Sequence, residues 1–237
     1  RSMQRDFILI ATALCSFVAT AAVGAADNGS NKAWQRHTID DSSVGADGAR
    51  LLDANGDGRL DLVTPWEEGG EIHICLHPGD VEIDKPWPLV VVGRVASPED
   101  AVLVDLDGDG AVDVVSSCEG AVRSMFVHWA PQAKEDYLDA TKWETGVISV
   151  TKSKQAWMYA LPMQIDGRHG IDLMVASKGQ QASVGWLQAP SNPRDLDAWK
   201  YHRLYDAGWV MSLIATDVNH DGKNDVVVSD RKGPNRG

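Results

Sequence analysis

A nine-residue acidic pattern recurs along the chain, and it limits the possible folds more than any other feature. It reads Asp53-Ala-Asn55-Gly-Asp57-Gly58-Arg59-Leu-Asp61. It returns as Asp105-Leu-Asp107-Gly-Asp109-Gly110-Ala111-Val-Asp113 and again as Asp217-Val-Asn219-His-Asp221-Gly222-Lys223-Asn-Asp225. A weaker copy, Gln164-Ile-Asp166-Gly-Arg168-His169-Gly170-Ile-Asp172, lies between the second and the last. From first position to first position the steps are 52, 59 and 53 residues. A near-constant period of this size is the mark of stacked supersecondary units, each burying its faces on its neighbours.

The flanks of each copy say which unit it is. A short apolar segment precedes the copy (residues 49–52, 101–104, 160–163 and 213–215) and another follows it (60–63, 112–115, 171–175 and 226–228). These runs are brief, largely β-branched and bounded by Gly and Asp, so they read as buried strands rather than helices. A third run follows a Gly-rich turn at 72–76, 125–129 and 183–187. A fourth begins at Trp34, Trp87, Trp143 and Trp199, which precede the loop starts by 19, 18, 21 and 18 residues. Four strands per period with no helical stretch predict an all-β chain, specifically a β-propeller of four-stranded antiparallel blades. The repeats fall near 34–86, 87–142, 143–198 and 199–237, which is about three and a half blades. Because the array stops after the second strand of its fourth repeat, a larger propeller is expected, with the Trp34 strand able to serve as the outer strand of a last blade.

The loop has the chemistry of a calcium site. Calcium takes six to eight hard oxygens, and carboxylates or amides at positions 1, 3 and 5 of a tight turn converge on one point, with a glycine at position 6 to fold the backbone around the ion. An EF-hand would need a bidentate Glu at position 12, but Thr64, Ser116 and Val228 stand there. The ninth-position Asp is therefore expected to close the site, with the position-7 carbonyls of Arg59, Ala111 and Lys223 as further ligands. In the third loop Arg168 replaces the position-5 carboxylate. Its guanidinium is expected to bond Asp166 and Asp172 in place of an ion, with His169 removing the glycine path around a metal.

This D-x-D/N-x-D-G-x-x-D loop, set between the inner strands of a unit of about 50 residues, resembles the FG-GAP and VCBS repeat family. Those are calcium-bearing propellers of secreted bacterial proteins, related to the integrin α-subunit head. The resemblance covers about residues 34–237. It implies structural Ca²⁺ at three loops, on the face opposite the usual partner-binding face. The ligands it implies are Asp53, Asn55, Asp57 and Asp61; Asp105, Asp107, Asp109 and Asp113; and Asp217, Asn219, Asp221 and Asp225.

Residues 1–26 read as a secretory signal peptide and 27–33 as a linker. Arg5 is followed by the apolar run 7–18 and by small residues from Ala19 to Ala26, while Thr12, Ser16 and Thr20 make that stretch too polar for a membrane anchor. Removing residues 1–25 leaves 20 basic against 33 acidic side chains, a net charge of −13, which argues against a nucleic-acid partner. Only Cys75 and Cys118 remain, too few for a disulfide framework, so they are expected to be free and buried.

Outside the loops the signals are sparse. His37 and His202 each follow a blade tryptophan by three residues, which is repeat grammar, and no nucleophile elbow, zinc-protease or phosphate-loop motif is present. Trp157 and Trp209 lie near the starts of inner strands, where core packing is the expected role and a sugar-stacking platform at a central channel is the alternative. Asp47, Glu99 and Asp100 fall at similar positions, where a solvated rim is expected and an acidic mouth for a cationic or metal-bridged ligand is the alternative. The expectation is a secreted, periplasmic or cell-surface binding or scaffold module for a protein or polysaccharide partner, not integral to the membrane. The alternative is a carbohydrate-active enzyme such as a polysaccharide lyase, with Arg123, Lys152 and Lys154 as cations for an acidic sugar.

Overall fold

The computed structural model describes residues 35–234. The stretches expected to be a signal peptide (1–26) and a linker (27–33), together with Trp34, lie outside the described residues. All the elements named below belong to the unit His37–Gly237.

The chain is all-β and winds into four antiparallel sheets, each a meander. The first is β1 (Arg50–Leu52), β2 (Asp61–Trp66), β3 (Glu71–Cys75) and β4 (Leu89–Arg94). The second is β5 (Pro98–Val104), β6 (Asp113–Cys118), β7 (Met125–Trp129) and β8 (Glu144–Val147). The third is β9 (Ala156–Met163), β10 (Asp172–Lys178), β11 (Ser183–Gln188) and β12 (Lys200–Asp206). The fourth holds β13 (Val210–Thr216) and β14 (Asp225–Asp230). Each full sheet takes its last strand from the next sequence repeat, because β4, β8 and β12 follow Trp87, Trp143 and Trp199. Among the described residues no helix is long and apolar enough to cross a membrane.

The register of the first two strands is the same in every sheet. Leu52 pairs with Asp61, Val104 with Asp113, Met163 with Asp172 and Thr216 with Asp225. The residue before loop position 1 thus always faces position 9, and each acidic loop closes the same hairpin. At the other end of these strands the ladder slips by one residue in the second, third and fourth sheets, between Pro98 and Asp100, Ala176 and Ser177, and Val210 and Ser212. Bulges of this kind re-aim side chains at a strand end.

Alternation along the inner strands builds the core. On β5, Ala101 and Leu103 enter a cluster with Val63, Ile72 and Val90 of the first sheet, while Val102 and Val104 enter another with Leu173 and Val175 of the third. On β10, Met174 and Ala176 face the other way and meet Val210 and Leu213 of the fourth sheet. The second and third sheets are therefore buried on both faces, and a fully buried Val or Leu contributes roughly 1.5–3 kcal/mol. The tryptophans that lead the outer strands are buried too. Their indole N–H groups donate to Ile83, Tyr137 and Pro193 carbonyls at 3.2, 3.0 and 2.9 Å, pinning the preceding connection. Cys75 and Cys118 are unpaired and buried, and burial pushes both thiols up to about 12, so they pack as small apolar groups.

Candidate metal centres and the opposite rim

Each strong loop wraps around its first carboxylate. The position-6 N–H of Gly58, Gly110 and Gly222 donates to Asp53, Asp105 and Asp217 at 2.9, 3.1 and 2.8 Å. The position-3 side chain accepts from the position-5 N–H at 2.9, 3.1 and 3.0 Å. Position 6 is left-handed, at φ 86°, 90° and 83°, and nothing crowds a Cβ there, so it is backbone conformation that selects glycine. Position 4 is left-handed as well, in Gly56, Gly108, Gly167 and even His220 (φ 61°). In the second loop the carboxylate oxygens of Asp105, Asp107 and Asp109 lie within 4.8 Å of one another. The donor set is wholly oxygen and anionic, which fits a hard divalent cation such as calcium.

The ninth-position Asp has a second duty that the spacing alone did not reveal. Asp61 and Asp113 are fully buried and receive backbone N–H groups on both oxygens. Ala54 (2.9 Å) and His77 (2.8 Å) donate to Asp61, and Leu106 (3.1 Å) and Ala130 (2.8 Å) donate to Asp113. Each carboxylate staples its loop to the end of the third strand. Burial pushes Asp113 up to about 7 against those amides, with Asp107 and Asp109 adding repulsion. Asp225, in the sheet without a third strand, is half-buried and holds only the N–H of Val218, at 3.0 Å.

The third loop departs from expectation in how it is closed. Among the described residues the Arg168 guanidinium makes no ion pair. Instead the Gln164 amide nitrogen donates to the carbonyls of Arg168 (2.9 Å) and Gly170 (2.7 Å), the latter being the position-7 carbonyl that an ion would take. Gln164 Oε1 accepts from Gly167, as Asp53 and Asp105 accept from Gly56 and Gly108, and also from Asp166. Asp172 accepts the N–H groups of Ile165, Asp166 and Ala189, the same staple that Asp61 makes with Ala54, Asn55 and His77. His169 adopts φ 45°, so the left-handed path survives despite its side chain. A neutral amide thus fills this loop.

Cations from the following sheet also approach two loops. Arg194 sets Nε 2.5 Å from Asp107 and Nη2 3.6 Å from Asp109, with its guanidinium 4.7 Å from the Trp129 ring centroid. A Cβ at Gly56 would collide with Nζ of Lys134. These contacts cross 87 residues in one case, and no local pattern signals them.

The other ends of the inner strands form a charged rim. The residue six places after each ninth-position Asp is Glu67, Glu119, Lys178 or Arg231, so the rim is acidic on the first two sheets and basic on the next two. Six residues at about 3.3 Å per residue set this rim roughly 20 Å from the loops. Asp47, Glu67 and Glu99 bring carboxylate oxygens within 4.8 Å of one another. Lys178 bridges Glu99, at 2.7 Å, and Glu119. Burial, against the Lys178 bond, pushes Glu99 up to about 7, whereas the Lys178 and Glu99 bonds hold Glu119 below its ordinary value despite burial.

The remaining candidates divide. Asp100 is 1% exposed and both its oxygens receive Arg50 at 3.1 Å, so it is an internal ion pair and offers nothing to a ligand. Trp157 is also 1% exposed, donates to the Thr151 carbonyl and lies edge-on to Tyr201, so it has no face for a sugar. Trp209 is half-buried at the rim. His73 is buried between Glu71 (3.0 Å), two residues away on the same strand, and Asp40 (2.7 Å), which lies 33 residues away where no local pattern signals it. Neither a scan against protein-family models nor a search of the curated proteins returned a match.

Proposed function

We propose that the chain is a secreted, calcium-stabilised β-propeller of the FG-GAP/VCBS type that serves as a binding module. The observation that carries this is the recurrence of one loop at one register in successive sheets, with three carboxylates converging in the second loop. The stacking of consecutive sheets through shared apolar clusters supports the propeller. Asp53, Asn55 and Asp57; Asp105, Asp107 and Asp109; and Asp217, Asn219 and Asp221 would hold the ions, with the carbonyls of Arg59, Ala111 and Lys223 and the ninth-position Asp completing each shell. Calcium would supply charge neutralisation and no chemistry. An ion that binds only the folded chain raises stability by mass action, about 2.7 kcal/mol at a hundredfold excess over Kd.

The test is thermal unfolding with chelator and with calcium, together with bound metal per chain. Chelation should lower Tm and calcium restore it, with three ions bound. Gln164→Asp combined with Arg168→Asp should raise the count to four. A Tm indifferent to chelator, or four ions in the unaltered chain, would refute this assignment.

A further inference from the structure

Where the acidic and basic halves of the rim meet, an open groove of about 560 Å³ is lined by Glu119, Arg123, Lys178, Gln180, Trp209 and Lys232. That volume lies within the range of roughly 300–1,000 Å³ typical of small-ligand sites. Its charge runs against the rest of the molecule, whose net charge is −12. Among the described residues Arg123, Arg231 and Lys232 have no carboxylate within ion-pair distance. Lys178, Lys232 and Arg231 gather around the Trp209 indole at 5.0, 4.3 and 5.4 Å from its centroid.

The site is built rather than incidental. Arg123 is held at φ 44°, a conformation few side-chain-bearing residues adopt. Its N–H donates to the Glu119 carbonyl, and its own carbonyl accepts from Lys154 N–H. Its Nη2 donates to the Lys154 carbonyl at 3.0 Å, while its buried Nε has no partner among the described residues. Lys178 is fixed by two carboxylates and is only 17% exposed. Gly179 N–H donates to Gly208 O at 2.9 Å, joining the third and fourth sheets beneath the groove. Arg123 is therefore set before any ligand arrives, which lowers the entropy cost of binding, whereas Lys178 is already neutralised by its two carboxylates.

We propose that this groove binds an acidic sugar residue. Its carboxylate would meet Arg123 and draw Lys232 off the Trp209 face, the sugar ring would take that place against the indole, and its hydroxyls would bond the Gln180 amide and the Glu119 carboxylate. A bare inorganic anion uses only the cations and leaves the indole and the acceptors idle. A neutral sugar leaves the cations idle. The inference deepens the reading as a binding module but stands on rim geometry, roughly 20 Å from the loops. Charge contacts at an open site weaken with salt, because the Debye length is only about 8 Å at physiological ionic strength.

The experiment is calorimetric titration of the full chain with trimers of glucuronate, galacturonate and mannuronate, their neutral methyl esters, and inorganic sulfate. At least one acidic trimer should bind, with its ester at least about tenfold weaker and sulfate failing to displace it. Lys232→Glu, at an exposed position, should weaken binding by about tenfold or more with Tm unchanged, and Trp209→Phe should weaken it less. No binding by any acidic trimer, equal binding of the esters, displacement by sulfate, or indifference to Lys232→Glu would each overturn the proposal. Chelator unfolding on the same samples separates the two readings. A chain that loses stability with chelator but ignores acidic sugars fails only here.

Discussion

A carboxylate at loop position 1 and one at position 9 differ in function although both are Asp. The first is solvated and collects the N–H groups of its own turn, so an ion can replace water around it. The ninth is buried and staples two elements, so removing it strands amides that cost about 1–3 kcal/mol each. The acidic turn was legible because its spacing is local. The staple was not, because the amides it receives lie 16 and 17 residues away. The role of Gln164 escaped notice for a different reason: Arg168, four residues on, offered a stronger charge, whereas it is the neutral Gln164 amide that bonds the loop carbonyls. Arg194 gives the residue-scale prediction. It is 40% exposed, so its pairs with Asp107 and Asp109 are worth no more than about 1 kcal/mol. Without calcium, Arg194→Ala should lower Tm by roughly 2–4 °C, since it leaves the clustered carboxylates unscreened. With calcium the sign reverses, because the guanidinium and the ion compete for the same oxygens. Calorimetric titration should then show tighter binding at the second loop, and weaker binding there would contradict the competition.

At the scale of elements, alternation carried most of the fold. The apolar runs flanking each loop became strands close to their expected bounds, because a strand buried on both faces needs apolar side chains at successive positions. The bulges at the rim were not legible, since a one-residue slip leaves composition unchanged. One such bulge, at the start of β5, places Glu99 beside Asp47, Glu67 and Glu119, and its ordinary value of 4.5 rises to about 7. Between these two values the folded chain holds a proton that the unfolded chain has released. Stability therefore falls as pH rises through that window and levels off above it. Asp113, raised from 3.8 to about 7, contributes with the same sign. In calcium-free buffer, stability by denaturant titration should decline from pH 4.5 to 7, and Glu99→Gln should flatten part of the decline. A steeper decline in that variant would place the proton elsewhere.

For the whole molecule, the described sheets pack in succession, and among the described residues no sheet covers the outer face of the fourth. The fourth sheet meets the third through Val210 and Leu213. Its opposite side carries Met211, Ile214 and Val227, which are 43%, 54% and 44% exposed. The free edge makes this face more adhesive. Among the described residues β14 pairs only with β13, and its sequence Asp-Val-Val-Val-Ser-Asp holds neither the lysine nor the proline that usually blunts an edge. Two copies meeting there would gain both apolar burial and a backbone ladder, whereas net charge opposes them only weakly at physiological salt. The chain should therefore associate as its concentration rises, as followed by light scattering at physiological ionic strength. Val227→Lys places a charge on the exposed face of β14 and should shift the population toward monomer with little change in Tm. A unaltered chain that stays monomeric at every concentration would show that this face is not adhesive, and association unaffected by Val227→Lys would move the contact to another surface.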